Sequence, residues 1–82
     1  MLPNMPKKKY PRIIYTNPEQ KYYDTEEGHF IAIKKLLYNN KVRNIMIAYE
    51  EKNGTVEIIT IHPITEEKII SRIVGRRWIK NE

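Results

Sequence analysis

Residues 29–62 read HFIAIKKLLYNNKVRNIMIAYEEKNGTVEIITIH. Three runs rich in Ile, Val, Phe, Tyr and Thr, from His29 to Tyr38, Val42 to Glu50 and Thr55 to His62, are separated by Asn39-Asn40 and Asn53-Gly54. Asparagine and glycine tolerate the positive φ angles that two-residue hairpin turns require, so the stretch predicts a three-stranded antiparallel meander. Two-residue turns pair Tyr38 with Lys41 and Lys52 with Thr55, and this register sorts the side chains onto two faces. One face collects Ile31, Ile33, Leu37, Val42, Met46, Ala48, Ile59 and Ile61 and is almost wholly apolar. The other carries the rows Phe30-Tyr49-Ile58, Ala32-Ile47-Thr60 and Lys34-Ile45-His62, with Arg43 beside Leu36. In this register His29 falls at the far end of the sheet from His62.

The apolar face needs a cover, and the chain supplies one downstream. Ile69, Ile70 and Ile73 fall at helical spacing between Thr65, a good N-cap, and Gly75, with Glu66 and Glu67 suited to a first turn. The β-branched isoleucines also suit a fourth long strand through Ile69 to Ile73, and both readings of residues 65–74 stay open. Upstream, Arg12 to Tyr15 reads as a short β-type run ending at Asn17-Pro18, and Lys21 to Asp24 as a second one ending before Gly28. Residues 1–11 hold three of the five prolines and the Lys7-Lys8-Lys9 triplet, and read as a flexible basic arm. The expected fold class is therefore α+β: an antiparallel sheet with short N-terminal strands, packed with one C-terminal helix, in a single domain over residues 12–82.

Composition bounds the chemistry. A chain of 82 residues buries only about 60–65% of the surface its unfolded form exposes, which argues for a shallow site. No cysteine is present, so disulfides, Fe–S clusters and thiolate zinc sites are excluded, and two histidines are few for a metal centre. No metal and no cofactor are expected. The apolar runs are far shorter than the roughly 20 residues of a membrane span, and the opening lacks a signal-peptide core. A soluble, cytoplasmic protein is expected. The net charge of +5 alternates in sign along the chain: residues 1–15 carry +4, 16–27 carry −3, 28–49 carry +4, 50–67 carry −4 and 68–82 carry +4. Such segregation concentrates positive potential, and phosphate-bearing partners are its usual target.

Several chemistries lack their residues. The three glycines stand apart at 28, 54 and 75, which leaves no phosphate loop, and Ser71 is the only serine. What remains is a basic constellation of Lys34, Arg43, His62, Arg72, Arg76, Arg77 and Lys80, interleaved with Tyr15, Tyr49 and Trp78. Guanidinium groups grip phosphates and aromatic rings stack on unpaired bases, so RNA or single-stranded DNA is the expected partner. Metal-free RNA cleavage requires a base, an acid and cations around the phosphate. His62 suits proton transfer near neutral pH, with Lys34 and Arg72 as electrostatic partners. Arg43, Thr60, Arg76, Arg77, Trp78 and Lys80 complete the expected nucleic-acid surface. Structural duties compete for the same residues: His62 before Pro63 also finishes a strand, Lys34 also covers apolar surface with its stem, and Trp78 is also a core lid.

The segments Asn17-Pro18-Glu19, Tyr22-Tyr23-Asp24, Gly28-His29-Phe30, Ile45 to Glu50, Asn53-Gly54 and Ile58 to Ile64 resemble the small prokaryotic and phage proteins grouped with RelE-like toxins. These belong to the barnase-EndoU-colicin-RelE superfamily of metal-independent ribonucleases. The resemblance spans roughly residues 13–78. It implies an N-terminal helical segment against the sheet and an RNA-facing surface carrying, in this chain, Lys34, Arg43, Thr60, His62, Arg72 and Arg76. It also implies a small acidic antitoxin as partner. The chain departs from the pattern where the basic proline arm stands in place of the N-terminal helices. Two other functions fit the same residues: a non-catalytic nucleic-acid-binding protein, and a protein-interaction module using an exposed sheet edge.

Overall fold

The computed structural model of the chain describes residues 9–81. It is an α+β fold, a five-stranded antiparallel sheet with a helix against each face. In chain order the elements are α1 (Tyr10–Thr16), β1 (Gln20–Asp24), β2 (His29–Tyr38), β3 (Lys41–Lys52), β4 (Thr55–Pro63), α2 (Glu66–Val74) and β5 (Trp78–Lys80). The strands lie in the order β4-β3-β2-β1-β5. Backbone φ angles of 51° and 63° at Asn39 and Asn40, and of 51° and 77° at Asn53 and Gly54, close the two tight turns. These turns set Tyr38 opposite Lys41 and Lys52 opposite Thr55.

Residues 12–15 are helical rather than extended. Pro11 occupies the first turn of α1, where its missing N–H costs nothing, and Tyr10 and Ile14, four residues apart, share its buried side. A seven-residue helix is marginal alone; burial of Ile14 against Ala32, Leu36, Ile45 and Ile47 holds it in place. The Tyr10 hydroxyl donates to the Leu37 carbonyl at 2.7 Å, and Tyr15 meets Tyr49 edge-on at 5.1 Å. Of the arm expected over residues 1–11, residues 1–8 lie outside the described residues, while Tyr10 and Pro11 belong to α1.

Residues 66–74 form the helix α2, not a strand, and the Thr65 hydroxyl caps it by accepting from the Lys68 N–H at 3.2 Å. Ile69 packs with Ile31, Ile33, Met46, Ala48 and Trp78 on the second face. The chain enters α2 from β4 at one edge of the sheet and leaves it for β5 at the other, so α2 crosses that face. The helix ends with Gly75 at φ −75°, and the left-handed residue is Arg76 at φ 60°.

The second hairpin departs from the expected register. Tyr49 pairs with Ile58, but Ala48 pairs with Thr60, which leaves Ile59 as the extra residue of a β-bulge. Beyond it His62 lies opposite Met46, and Pro63 opposite Ile45. The bulge keeps Val56 and Ile58 against the α1 cluster and returns Ile61 to that side beside Ile47. Thr60 and His62 are thereby carried to the α2 side, and the expected row Lys34-Ile45-His62 does not exist. Among the described residues no helix is long and apolar enough to cross a membrane.

Candidate functional site

Because β2 alternates, Ala32, Lys34 and Leu36 point toward α1, while His29, Ile31 and Ile33 point toward α2. Lys34 and Arg43 therefore sit on the α1 side, and Arg43, opposite Leu36, borders a separate recess beside Asn44 and Pro63. His62, Thr60 and Arg72 come together on the other side. They line a cavity of about 350 Å³ between α2 and strands β2 to β4. Its floor consists of buried core residues, Ile31, Met46, Ala48, Ile64 and Trp78, and its rim includes His29, Thr60, His62, Lys68 and Arg72. The bulge decides this arrangement, since without it Thr60 and His62 would face α1.

Within the rim His62 is held in a defined tautomer. Its Nδ1 lies 2.9 Å from the Pro63 carbonyl oxygen. A carbonyl only accepts, so Nδ1 carries the hydrogen, and in the neutral ring the lone pair falls on Nε2. Lys68 and Arg72 are one helical turn apart on α2 and both reach the cavity. Neither side chain forms an ion pair with another described residue.

At the opposite end of the cavity stands a closed polar knot around Asp24, which is 2% exposed. Its Oδ1 accepts from the backbone N–H groups of Glu26 and Glu27 at 2.9 and 3.0 Å. Arg77 Nε donates to the two carboxylate oxygens at 3.2 and 3.3 Å, and Trp78 Nε1 donates to Oδ2 at 3.2 Å. Burial pushes the Asp24 carboxyl up, but the Glu27 amide, Arg77, Trp78 and the Glu26 amide together outweigh it and bring it down to about 2. The hydrogen bond to Asp24 in turn holds the Arg77 guanidinium above its ordinary value. Arg77 also pairs with Glu26 and Glu27 at 3.6 and 3.8 Å.

The expected nucleic-acid surface is thus divided. Arg77 is committed to three carboxylates. Trp78 is 3% exposed and stacked on Tyr22 at 5.6 Å, so its ring forms part of the cavity floor rather than an outer platform. Arg76 is exposed at the end of α2, and Lys80 lies on β5 opposite Tyr22, away from the cavity. Three residues absent from the expected site belong to this region: His29, Lys68 and Asp24. Lys68 was within reach of the sequence, because it precedes Arg72 by four positions on an expected helix. Among the described residues no group of three or more His, Asp or Glu is placed to hold a metal ion. No family model matches the chain, and no curated protein and no solved structure matches it.

Proposed function

We propose that the protein is a metal-independent endoribonuclease of the RelE-like kind, acting in the cytoplasm on RNA bound in the cavity between α2 and the sheet. The observation that carries the reading is the His62 imidazole, its Nδ1 turned to the Pro63 carbonyl, on a rim shared with two cations, Lys68 and Arg72, that have no carboxylate partner among the described residues. In this reading His62 Nε2 takes the proton of a 2′-hydroxyl as that oxygen bonds to the adjacent phosphorus. The bond to the 5′-oxygen breaks, and the leaving oxygen takes a proton from water. Lys68 and Arg72 meet the charge that gathers on the phosphoryl oxygens, where fixed cations accelerate most. The N-terminal helix packed on an antiparallel sheet is a feature the resemblance implies, and supports it. A small acidic antitoxin would find its complement in the same cationic rim.

The test uses naked transcripts and translating ribosomes, with and without excess chelator. Cleavage should persist in chelator and leave 2′,3′-cyclic phosphate or 3′-phosphate ends. His62→Ala should slow it by about 100-fold or more, the usual scale for a lost proton-transfer group, while RNA affinity changes little. Metal-dependent products, or a rate untouched by His62→Ala, would defeat the mechanism. Binding without cleavage in both formats would leave a non-catalytic RNA-binding protein that uses the same face.

A further inference from the structure

Helix α2 is apolar on two sides. Ile69 is buried against the sheet, but Ile70, Ile73 and Val74 are 55%, 40% and 76% exposed and belong to neither core cluster. At spacings of three and four positions they share one stripe. A helix turns about 100° per residue, so Ile70 and Val74 lie about 200° around it from Lys68 and Arg72, on the flank turned away from the cavity. Contiguous exposed apolar surface of this kind marks an interaction site more often than a scattered single side chain does.

The charges along the stripe select its occupant. Glu67 precedes Ile70 by three positions and Arg76 follows Ile73 by three. Both are exposed, and neither forms an ion pair with another described residue. Negative at one end and positive at the other, the stripe is its own complement. A second copy of α2 laid antiparallel, with Ile70 against Ile73, brings Glu67 of each copy to Arg76 of the other, and a two-fold axis makes the two contacts identical. A lipid surface fits less well, since interfacial helices carry Lys and Arg beside the apolar face, whereas this stripe begins at Glu66 and Glu67. We infer that the outer flank of α2 is a homodimer interface, in which Ile70, Ile73 and Val74 pack against the same residues of a second copy and both cavities stay open. The inference is independent of the RNA reading. Two helical turns from each copy bury less than the about 1,600 Å² of a standard interface, so the dimer is weak and fills at high concentration. Exposed ion pairs add little energy; Glu67 and Arg76 set the direction of pairing, and the apolar stripe supplies the affinity.

Sedimentation equilibrium from about 10 μM to about 1 mM should show the full chain passing from monomer toward dimer as mass action requires. In a sample mixing isotope-labelled and unlabelled chains, contacts between copies should join the Ile70 and Ile73 methyl groups, a readout on the unaltered protein. Ile70→Ser/Val74→Ser should raise the dissociation constant tenfold or more and leave the far-ultraviolet circular dichroism unchanged, because both positions are exposed. Glu67→Arg should raise it about threefold or more, and Glu67→Arg/Arg76→Glu should return it to within about twofold of the native value, on the scale of exposed ion pairs. A monomer throughout the range, a dimer indifferent to Ile70→Ser/Val74→Ser, or contacts between copies at another surface would overturn the inference. Failure of the double charge exchange to restore pairing would overturn the antiparallel arrangement.

Discussion

Asp24 shows how much one buried carboxylate can organise. It ties the turn after β1 to the segment that follows α2, where the Thr25 N–H also donates to the Arg77 carbonyl at 2.8 Å. Its folded value of about 2 lies below the ordinary carboxylate value of 3.8. A depressed value contributes stability that is fully present above the ordinary one and is lost as pH falls from there through about 2, because over that window the unfolded chain binds the proton more readily. The size is about 2 kcal/mol, from roughly 1.4 kcal/mol per unit. Trp78 is the sole tryptophan and donates to Asp24, so its fluorescence reports the event. Denaturant midpoints measured between pH 5 and 2 should fall in the native protein, while Asp24→Asn should start lower at pH 7 and lose most of that slope. An unchanged slope would assign the acid sensitivity to other groups. The partnership was faintly legible in the chain, since the acidic segment 16–27 and the basic segment 68–82 carry opposite charge, but charge balance alone does not say which arginine meets which carboxylate.

Elements were legible in proportion to how local their causes are. The two turns carry Asn-Asn and Asn-Gly, residues that accept a positive φ, and both fall at the expected positions. The N-terminus of α2 is equally local, a threonine cap followed by two glutamates. The segment 12–15 reads as β because of its paired isoleucines, yet it is helical since Tyr10 and Ile14 find a face of the sheet to cover, one built by Ala32 and Leu36 of β2 and Ile45, Ile47 and Tyr49 of β3. The bulge at Ile59 has no local signature either, since Ile58 and Ile59 are the same residue type and either one could be the extra residue. The end of α2 gives a measurable consequence. Gly75 adopts an ordinary φ of −75°, whereas Arg76 holds the left-handed value of 60° that penalises a Cβ. Arg76→Gly should therefore stabilise the protein by about 1 kcal/mol, after the entropy glycine loses on folding, and raise Tm by about 4–8 °C for a domain of this size. A lowered Tm would mean that the Arg76 side chain contributes more than its backbone costs.

At the scale of the whole molecule the charge pattern becomes a surface with two unlike regions. The cations of residues 68–80 do not act together: Arg77 is sequestered by Asp24, Glu26 and Glu27, whereas Lys68 and Arg72 stand at the cavity. On the RNA reading proposed above, affinity for RNA should fall steeply with salt, because each neutralised phosphate releases counterions. The double variant Lys68→Ala/Arg72→Ala should reduce the slope of log affinity against log salt by about one unit per lost contact. Arg77→Ala should leave the slope nearly unchanged and lower thermal stability instead, and a slope lowered by Arg77→Ala alone would return that residue to the interface. The chain by itself determined the hairpin turns and the segregation of charge, and it pointed to the α+β class through the Thr65 cap while leaving helix and strand both open over residues 65–74, because propensity, capping and turn chemistry act between residues a few positions apart. Only the tertiary structure decided that α1 is a helix, that β5 closes the far edge, and that His62 and Thr60 face α2 while Lys34 faces α1. Each of these depends on which surface is left uncovered once distant segments have packed, and in a sheet a single bulged residue is enough to exchange the two faces.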